Sequence, residues 1–495
     1  MPGQHGIHVT RDTGANSLLG VAVGSAVGLV MGLVLVDGAL KMLLALLGAV
    51  FLVVGLMYPR LIMYTLVVLV ACLSQTRYGL QSQGVFRLSS YILNPVRLNL
   101  YEILAYCLLA ILIARRALGL LPRRVPSWVT VPCLVTALVV VLQLARALVS
   151  GVRYVDAVVP FNGQYILAAI AALWCFTELL QERVHRLHLL DLLFICAFGR
   201  AVFALERFIL GGGDTADVYR ISGVKVALWE SADHLLFVFL IGITVAAWAT
   251  RRVAGGRLAF WATGSACMAL TIALSYRRTG WIGLGAAVVL ITLLLLRRTE
   301  RSIALVPAVL ALLAEIGAAS YSRFSSGGSL LARLFPDVVS RVGPTRQDEW
   351  ALAWHTILRN PIAGELTARR LASRFAFWDT RIVHNAFLFA WMKLGLAGVL
   401  SLGVLGATCV VYAVRGVRSR GPEEYIALGV VGIVPFALVL AMFETPLIEI
   451  RTMFILAVAA AFAVGVACDS GSAPVETGGD AAPDEADDKG RRGKA

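Results

Sequence analysis

The chain has 495 residues, of which 59% are hydrophobic and 15% charged, and its formal net charge is +14. That apolar excess excludes a soluble globule and specifies a polytopic membrane protein. The positive balance does not point to nucleic acid, because the basic residues fall between apolar runs rather than along one soluble face.

The expected fold class is all-α, since lipid offers no partner to an open backbone group. Taken in chain order, apolar runs near membrane-spanning length fall at 17–36, 39–58, 61–75, 100–114, 129–147, 163–181, 189–210, 232–250, 258–275, 279–296, 303–320, 384–411, 424–443 and 450–468. They predict about 12 to 14 spans, with 61–75 and 100–114 short enough to be tilted or re-entrant. The first run lacks a small-residue cleavage site and is followed by another span, so it reads as retained.

Short loops rich in Arg belong on the cytoplasmic side. Five qualify: Arg115/Arg116/Arg123/Arg124, Arg183/Arg186, Arg251/Arg252/Arg257, Arg297/Arg298/Arg301 and Arg415/Arg418/Arg420. With about fourteen spans all five share one side with both termini, while the loop carrying Arg77, Arg87 and Arg97 departs from the rule. The expected organisation is a cytoplasmic N-terminus at 1–16, a transmembrane bundle at 17–320, a long extracytoplasmic loop at 321–383, C-terminal transmembrane helices at 384–468 and a disordered cytoplasmic tail at 469–495. All eight cysteines lie in or at the end of apolar runs without metal-ligand or disulfide spacing, so they read as buried small hydrophobes.

The same alternation assigns three polar stretches to the extracytoplasmic side: 211–231, "SYRRTGWIGLG" at 275–285, and 321–383. The long loop contains "PTRQDEWALAWHTILRNP", in which Thr345 and Asp348 mark a helix start, Trp350, Trp354, Ile357 and Leu358 follow at helical spacing, and Asn360-Pro361 is a stop. An amphipathic helix lying on the membrane surface or covering a cavity is expected there. Nine Arg residues, from Arg323 to Arg381, occupy this loop. Anionic lipid head groups and a bound phosphate both suit them, the latter because the planar guanidinium grips phosphate oxygens in a fork.

Arg277 and Arg278 stand between apolar runs, where an ionisable group either faces a cavity or snorkels to the interface. Arg220 precedes the span that Glu230, Asp233 and His234 enter, either as groups meeting water at a helix end or as parts of a site. His384 is the only His at the outer mouth of a span adjoining the Arg-rich loop. Its imidazole can take a hydroxyl proton near neutral pH, or serve as a satisfied interfacial polar group. Arg381 and Asn385 flank it as orienting groups.

"YRISGVKVALWESADHLLFVFLIGI", "SYRRTGWIGLG", "RQDEWALAWHTILRNPIAG" and "HNAFLFAWMKLGLAGVL" resemble, in that order, the successive motifs of the bacterial O-antigen ligase and polymerase superfamily. The likeness covers roughly 220–400 and the multi-span layout. It implies an architecture similar to the all-helical membrane glycosyltransferases and action on glycans carried by polyprenyl pyrophosphate. It also implies pyrophosphate-binding roles for Arg220 and Arg278, with Arg277 beside them and Arg346 as a further loop arginine, and an essential role for His384. Two positions depart from the family pattern. Lys393 stands where Glu is common, which leaves the acid partner of His384 open, and Val224-Lys225-Val226 stands where Asn-Pro-Asn is common.

The expected activity is therefore glycan transfer from a polyprenyl-pyrophosphate donor at the outer face of a bacterial inner membrane, with loop 321–383 as a lid. Polymerisation of repeat units and ligation of finished glycan to a lipid A core or protein are both compatible, with polymerisation favoured because the loop specifies no lipid core. The partners implied are the donor, a glycan or lipid-core acceptor, the bilayer and other polysaccharide assembly proteins, and no nucleic acid. No Asp-x-Asp or carboxylate cluster at metal-ligand spacing occurs in the external loops, so neither metal nor cofactor is expected. A lipid-linked glycan transporter is the rival class, although internal repeats and midplane breaks are not evident. A non-catalytic scaffold of an assembly complex is the remaining alternative.

Overall fold

In the computed structural model the described residues are 50, 53–73, 98–121, 125–151, 163–215, 225–228, 230–275, 277–296, 303, 306, 307, 314, 346–365, 383–444 and 446–471. They include twelve α-helices: α1 Pro59–Cys72, α2 Leu100–Ala117, α3 Ser127–Val149, α4 Gly163–Leu179, α5 Arg183–Ile209, α6 Ser231–Thr250, α7 Gly255–Leu274, α8 Arg278–Leu296, α9 Arg346–Arg359, α10 Ala386–Arg418, α11 Glu424–Phe443 and α12 Ile450–Gly471. A two-residue antiparallel pairing of Asp214–Thr215 with Lys225–Val226 closes the loop before α6. The protein is an all-α polytopic membrane protein, with eight described helices long and apolar enough to cross a bilayer. Of the expected spans, 17–36 lies outside the described residues and 39–58 and 303–320 mostly do; every other run is a helix.

Local chemistry sets several helix ends. Pro59 occupies the first turn of α1, where its missing N–H costs nothing. Asn99 and Glu102 form a reciprocal cap on α2: Asn99 Oδ1 accepts from the Glu102 N–H at 3.1 Å and Glu102 Oε2 accepts from the Asn99 N–H at 2.8 Å. Asn385 caps α10, its Oδ1 accepting from the Leu388 N–H at 3.0 Å. The span expected from 384 therefore begins two residues later, at Ala386, and His384 stands outside the helix.

Helix α6 is the central element, apolar around nearly its whole circumference and packed on α5, α7, α8, α11 and α12. It meets α11 through Gly242 and Gly429, where a Cβ on Gly429 would strike Ile243. Small residues at such crossings let two backbones approach in lipid, where no hydrophobic force between helices exists.

The described Arg-rich loops gather at one end of the bundle. Arg252 donates to the Arg420 carbonyl at 3.1 Å, Arg116 pairs with Glu178 at 2.8 Å, and buried Arg186 joins Glu423 at 2.5 Å and also Asp469. Glu423, just ahead of α11, has its carboxyl pushed up by burial, which the charge of Arg186 partly offsets. The opposite end holds the starts of α6, α8, α10 and α12 together with the ends of α1, α7 and α11, and the candidate site lies there.

Candidate functional site

The site is built from helix ends. Helix α10 is interrupted at Gly395, whose φ of 69° belongs to the left-handed region. Such a break frees backbone groups that lipid cannot satisfy. The segment after α9 satisfies them: Leu396 N–H donates to the Pro361 and Ile362 carbonyls at 3.1 and 3.2 Å, and the Met392 carbonyl accepts from the Glu365 N–H at 2.6 Å. Gln143 of α3 donates to the Ala363 and Leu394 carbonyls at 2.9 and 3.2 Å, and Arg146 donates to Ala363 at 2.8 Å. A side chain on Gly395 would collide with Ile362. The notch thus fixes the turn at 360–365, and the turn fixes α9.

Helix α9 turns Ala353 and Ile357 inward and leaves Trp354 and Leu358 exposed, with Trp354 edge-on to Trp391 at 5.7 Å. Apolar groups on both sides suit a helix wedged between protein and lipid at the interface. One turn from its start, Glu349 reaches His384: Nδ1 lies 3.0 and 3.2 Å from the two carboxylate oxygens. An ionised carboxylate can only accept, so Nδ1 carries the proton and Nε2 is the ring's basic atom. The His384 side chain is 33% exposed, so the pair sits at the rim and is not buried in the core. The acid beside His384 comes not from position 393, which is Lys, but from helix α9, thirty-five residues upstream.

Asn385 connects this rim to a second polar cluster, its Nδ2 donating to the Met442 carbonyl at 3.3 Å. Two residues on, Glu444 receives three donors: Arg277 Nη2 at 2.8 Å, Thr279 Oγ1 at 3.0 Å and Ser231 Oγ. Burial alone would raise the Glu444 carboxyl, but the Arg277 charge and the two hydroxyl bonds hold it below the ordinary carboxylate range. His234, on the first turn of α6, is fully buried nearby, and neither ring nitrogen has a hydrogen-bond partner. A buried polar group left so costs on the order of 1–3 kcal/mol.

Glu449 closes the connection between α11 and α12 and accepts from Thr452 Oγ1 at 2.7 Å. Burial, and then the neighbouring negative charge of Glu444, push its carboxyl from 4.5 up to about 7. A carboxyl raised on folding holds its proton more tightly in the native state, so native stability falls as pH rises through this window. Glu449→Gln is accordingly expected to raise the thermal unfolding midpoint at about pH 8.5 and to change it much less at about pH 5. Equal shifts at both pH values would contradict this electrostatic origin.

Below these groups lies a buried ionic network. Arg451 donates to Asp233 at 2.7 Å, to Glu230 and, through Nε, to the Val70 carbonyl at 2.8 Å. Arg200 donates to Asp233 at 2.6 Å and to the Cys72 carbonyl at 2.6 Å. Glu230 and Asp233 therefore do not meet water at a helix end; two arginines neutralise them and tie α1, α5, α6 and α12 together. Arg451→Met would remove the arginine from Glu230 and one of the two arginines from Asp233, which keeps Arg200, and a loss of about 3–5 kcal/mol is expected, read as a lower unfolding midpoint in detergent.

Of the residues singled out from sequence, His384, Asn385 and Arg277 stand at one end of the bundle. Arg277 is paired with Glu444. Arg278 and Arg346 are the first residues of α8 and α9, and their side chains lie outside the described residues, as do Arg220 and Arg381 altogether. Sequence reasoning passed over Glu349, Glu444, Arg200 and Arg451. An ionisable residue inside an apolar run was the available signal for the two arginines. Among the described residues no group of three or more His, Cys, Asp or Glu side chains is placed to hold a metal ion.

Fold and composition define the class: a multi-pass, all-helical membrane protein. Compared with known proteins, the chain matches no family model and no curated sequence.

Proposed function

We propose that the protein is a membrane-embedded glycosyltransferase of the O-antigen ligase and polymerase type, extending glycans from a polyprenyl-pyrophosphate donor at the outer face of a bacterial inner membrane. The observation that carries this reading is the Glu349–His384 pair, 3.0 Å apart at the bundle end that also holds Arg277. In the reaction an acceptor hydroxyl oxygen attacks the anomeric carbon of the donor sugar. The bond from that carbon to the pyrophosphate oxygen breaks, and the electron pair leaves with polyprenyl pyrophosphate. His384 Nε2 takes the hydroxyl proton, and Glu349 stabilises the imidazolium so formed. Departure of a pyrophosphate calls for charge neutralisation more than for a strong acid, which is the task of the arginines. A single displacement of this kind inverts the anomeric centre.

Ligation of a finished glycan to a lipid core or protein would use the same steps with a different acceptor. The test is transfer by the purified protein in detergent: polyprenyl-pyrophosphate-linked repeat units are expected to yield longer glycans of inverted anomeric configuration. Products obtained only with a lipid-core acceptor would shift the reading to ligase, and no product with any acceptor would end it in favour of transport or scaffolding.

A further inference from the structure

The three donors on Glu444 come from parts of the chain far from it: Ser231 at the first position of α6, Thr279 in the first turn of α8, and Arg277 just before α8. Two helix N-termini, two hydroxyls and a guanidinium around one oxyanion form the donor set that also suits a phosphate group. The carboxylate they hold is not part of a helix. Glu444 follows the last residue of α11 in extended conformation, ahead of the 3-10 turn Pro446–Ile448, so its side chain can leave without unwinding a span.

A second observation points to a ligand. The His234 imidazole lies against the start of α8, where a Cβ on Gly280 would come within 3.2 Å of Nδ1. It is fully buried, within electrostatic reach of both Arg277 and Glu444, and neither of its nitrogens is satisfied. Glu444 engages every other donor of the cluster but not this one. A diphosphate, with more oxygens and greater reach than a carboxylate, can engage both.

We infer that Glu444 is a resident counter-ion filling the diphosphate site formed by Arg277, Ser231, Thr279 and His234, and that the donor's pyrophosphate binds by displacing it. This rests on the proposed use of a polyprenyl-pyrophosphate donor and adds how the site is kept neutral while empty. A largely covered arginine without an anion is costly in a membrane protein, and an exchangeable internal carboxylate removes that cost between turnovers. Because the two anions compete, the carboxylate also selects against weakly bound monoanions.

The experiment is binding of inorganic pyrophosphate to the full-length protein in detergent, by calorimetry, for the wild type, Glu444→Gln, Glu444→Asp and His234→Phe. Glu444→Gln keeps the shape and removes the competing charge, so affinity is expected to rise roughly tenfold, the scale of one charge-assisted hydrogen bond. Glu444→Asp, one methylene too short to hold all three donors, is expected to act in the same direction and serves if the Gln variant does not fold. His234→Phe is expected to weaken binding severalfold without lowering the thermal midpoint, because it also removes two unsatisfied buried nitrogens. Unchanged or weaker binding in the Glu444 variants would overturn the inference, because Glu444 would then support Arg277 and not compete for it. The proposed activity fails separately: pyrophosphate binding that tightens as described, with no glycan transfer, would leave the site standing without the transferase.

Discussion

His384→Ala is expected to lower glycan transfer by roughly 10²- to 10⁴-fold, the usual contribution of a positioned general base. In the proposed mechanism the loss belongs to turnover, since the imidazole takes the acceptor proton and does not touch the donor phosphates. KM for the donor should change little. His384 lies outside α10, one residue before its cap, and its side chain is one-third exposed, so its removal breaks neither helix nor core. An unchanged unfolding midpoint beside a lost rate is the combination expected. A variant that transfers at the wild-type rate would remove His384 from the chemistry.

Glu349→Gln is the second large effect. The amide is nearly isosteric but cannot stabilise an imidazolium, and it can present its NH2 to Nδ1, favouring the tautomer that blocks Nε2. A fall of roughly 10- to 100-fold in kcat is expected, the rate equivalent of a charge-assisted hydrogen bond of about 1.5–3 kcal/mol. Glu349 acts through His384, so it is a positioning residue. Its signature is a kcat effect with donor KM preserved and partial recovery in Glu349→Asp. A variant that loses activity only by losing its folded midpoint would assign Glu349 a structural role alone.

The all-helical fold was legible because lipid demands it: apolar runs of bilayer length have one way to satisfy their backbone. The clustering of Arg-rich loops at one end followed from counting spans, and the contacts of Arg116, Arg186 and Arg252 lie together there. The helix at 346–359 was visible in the spacing of its apolar residues, although Trp354 and Leu358 turn outward while Ile357 is buried, and the span expected to begin at His384 starts at Ala386.

What sequence did not disclose are partnerships across the chain. Glu349 meets His384 only because the turn at 360–365 seats in the notch at Gly395, and nothing in "RQDEWALAWHTIL" indicates which of its polar residues faces which helix mouth. Glu444 sits in "FETPLIEI", where local reading shows an acid at a helix end. Its meaning depends on Arg277, 167 positions away by residue number and adjacent in space. The ionic network was hidden for the same reason, since Arg451 and Arg200 are single charges in apolar runs whose partners belong to other spans.

The proposed transfer depends most on Glu349 and His384 acting as one unit on a lipid-linked donor. Its most direct test is a double-mutant cycle on the transfer rate, with polyprenyl-pyrophosphate-linked glycan as donor and His384→Ala, Glu349→Ala and the double variant compared with wild type. Residues that work through each other do not add, so the double variant should be no slower than His384→Ala alone. Independent, multiplying losses would contradict the pairing, and wild-type protein that transfers nothing would contradict the account as a whole.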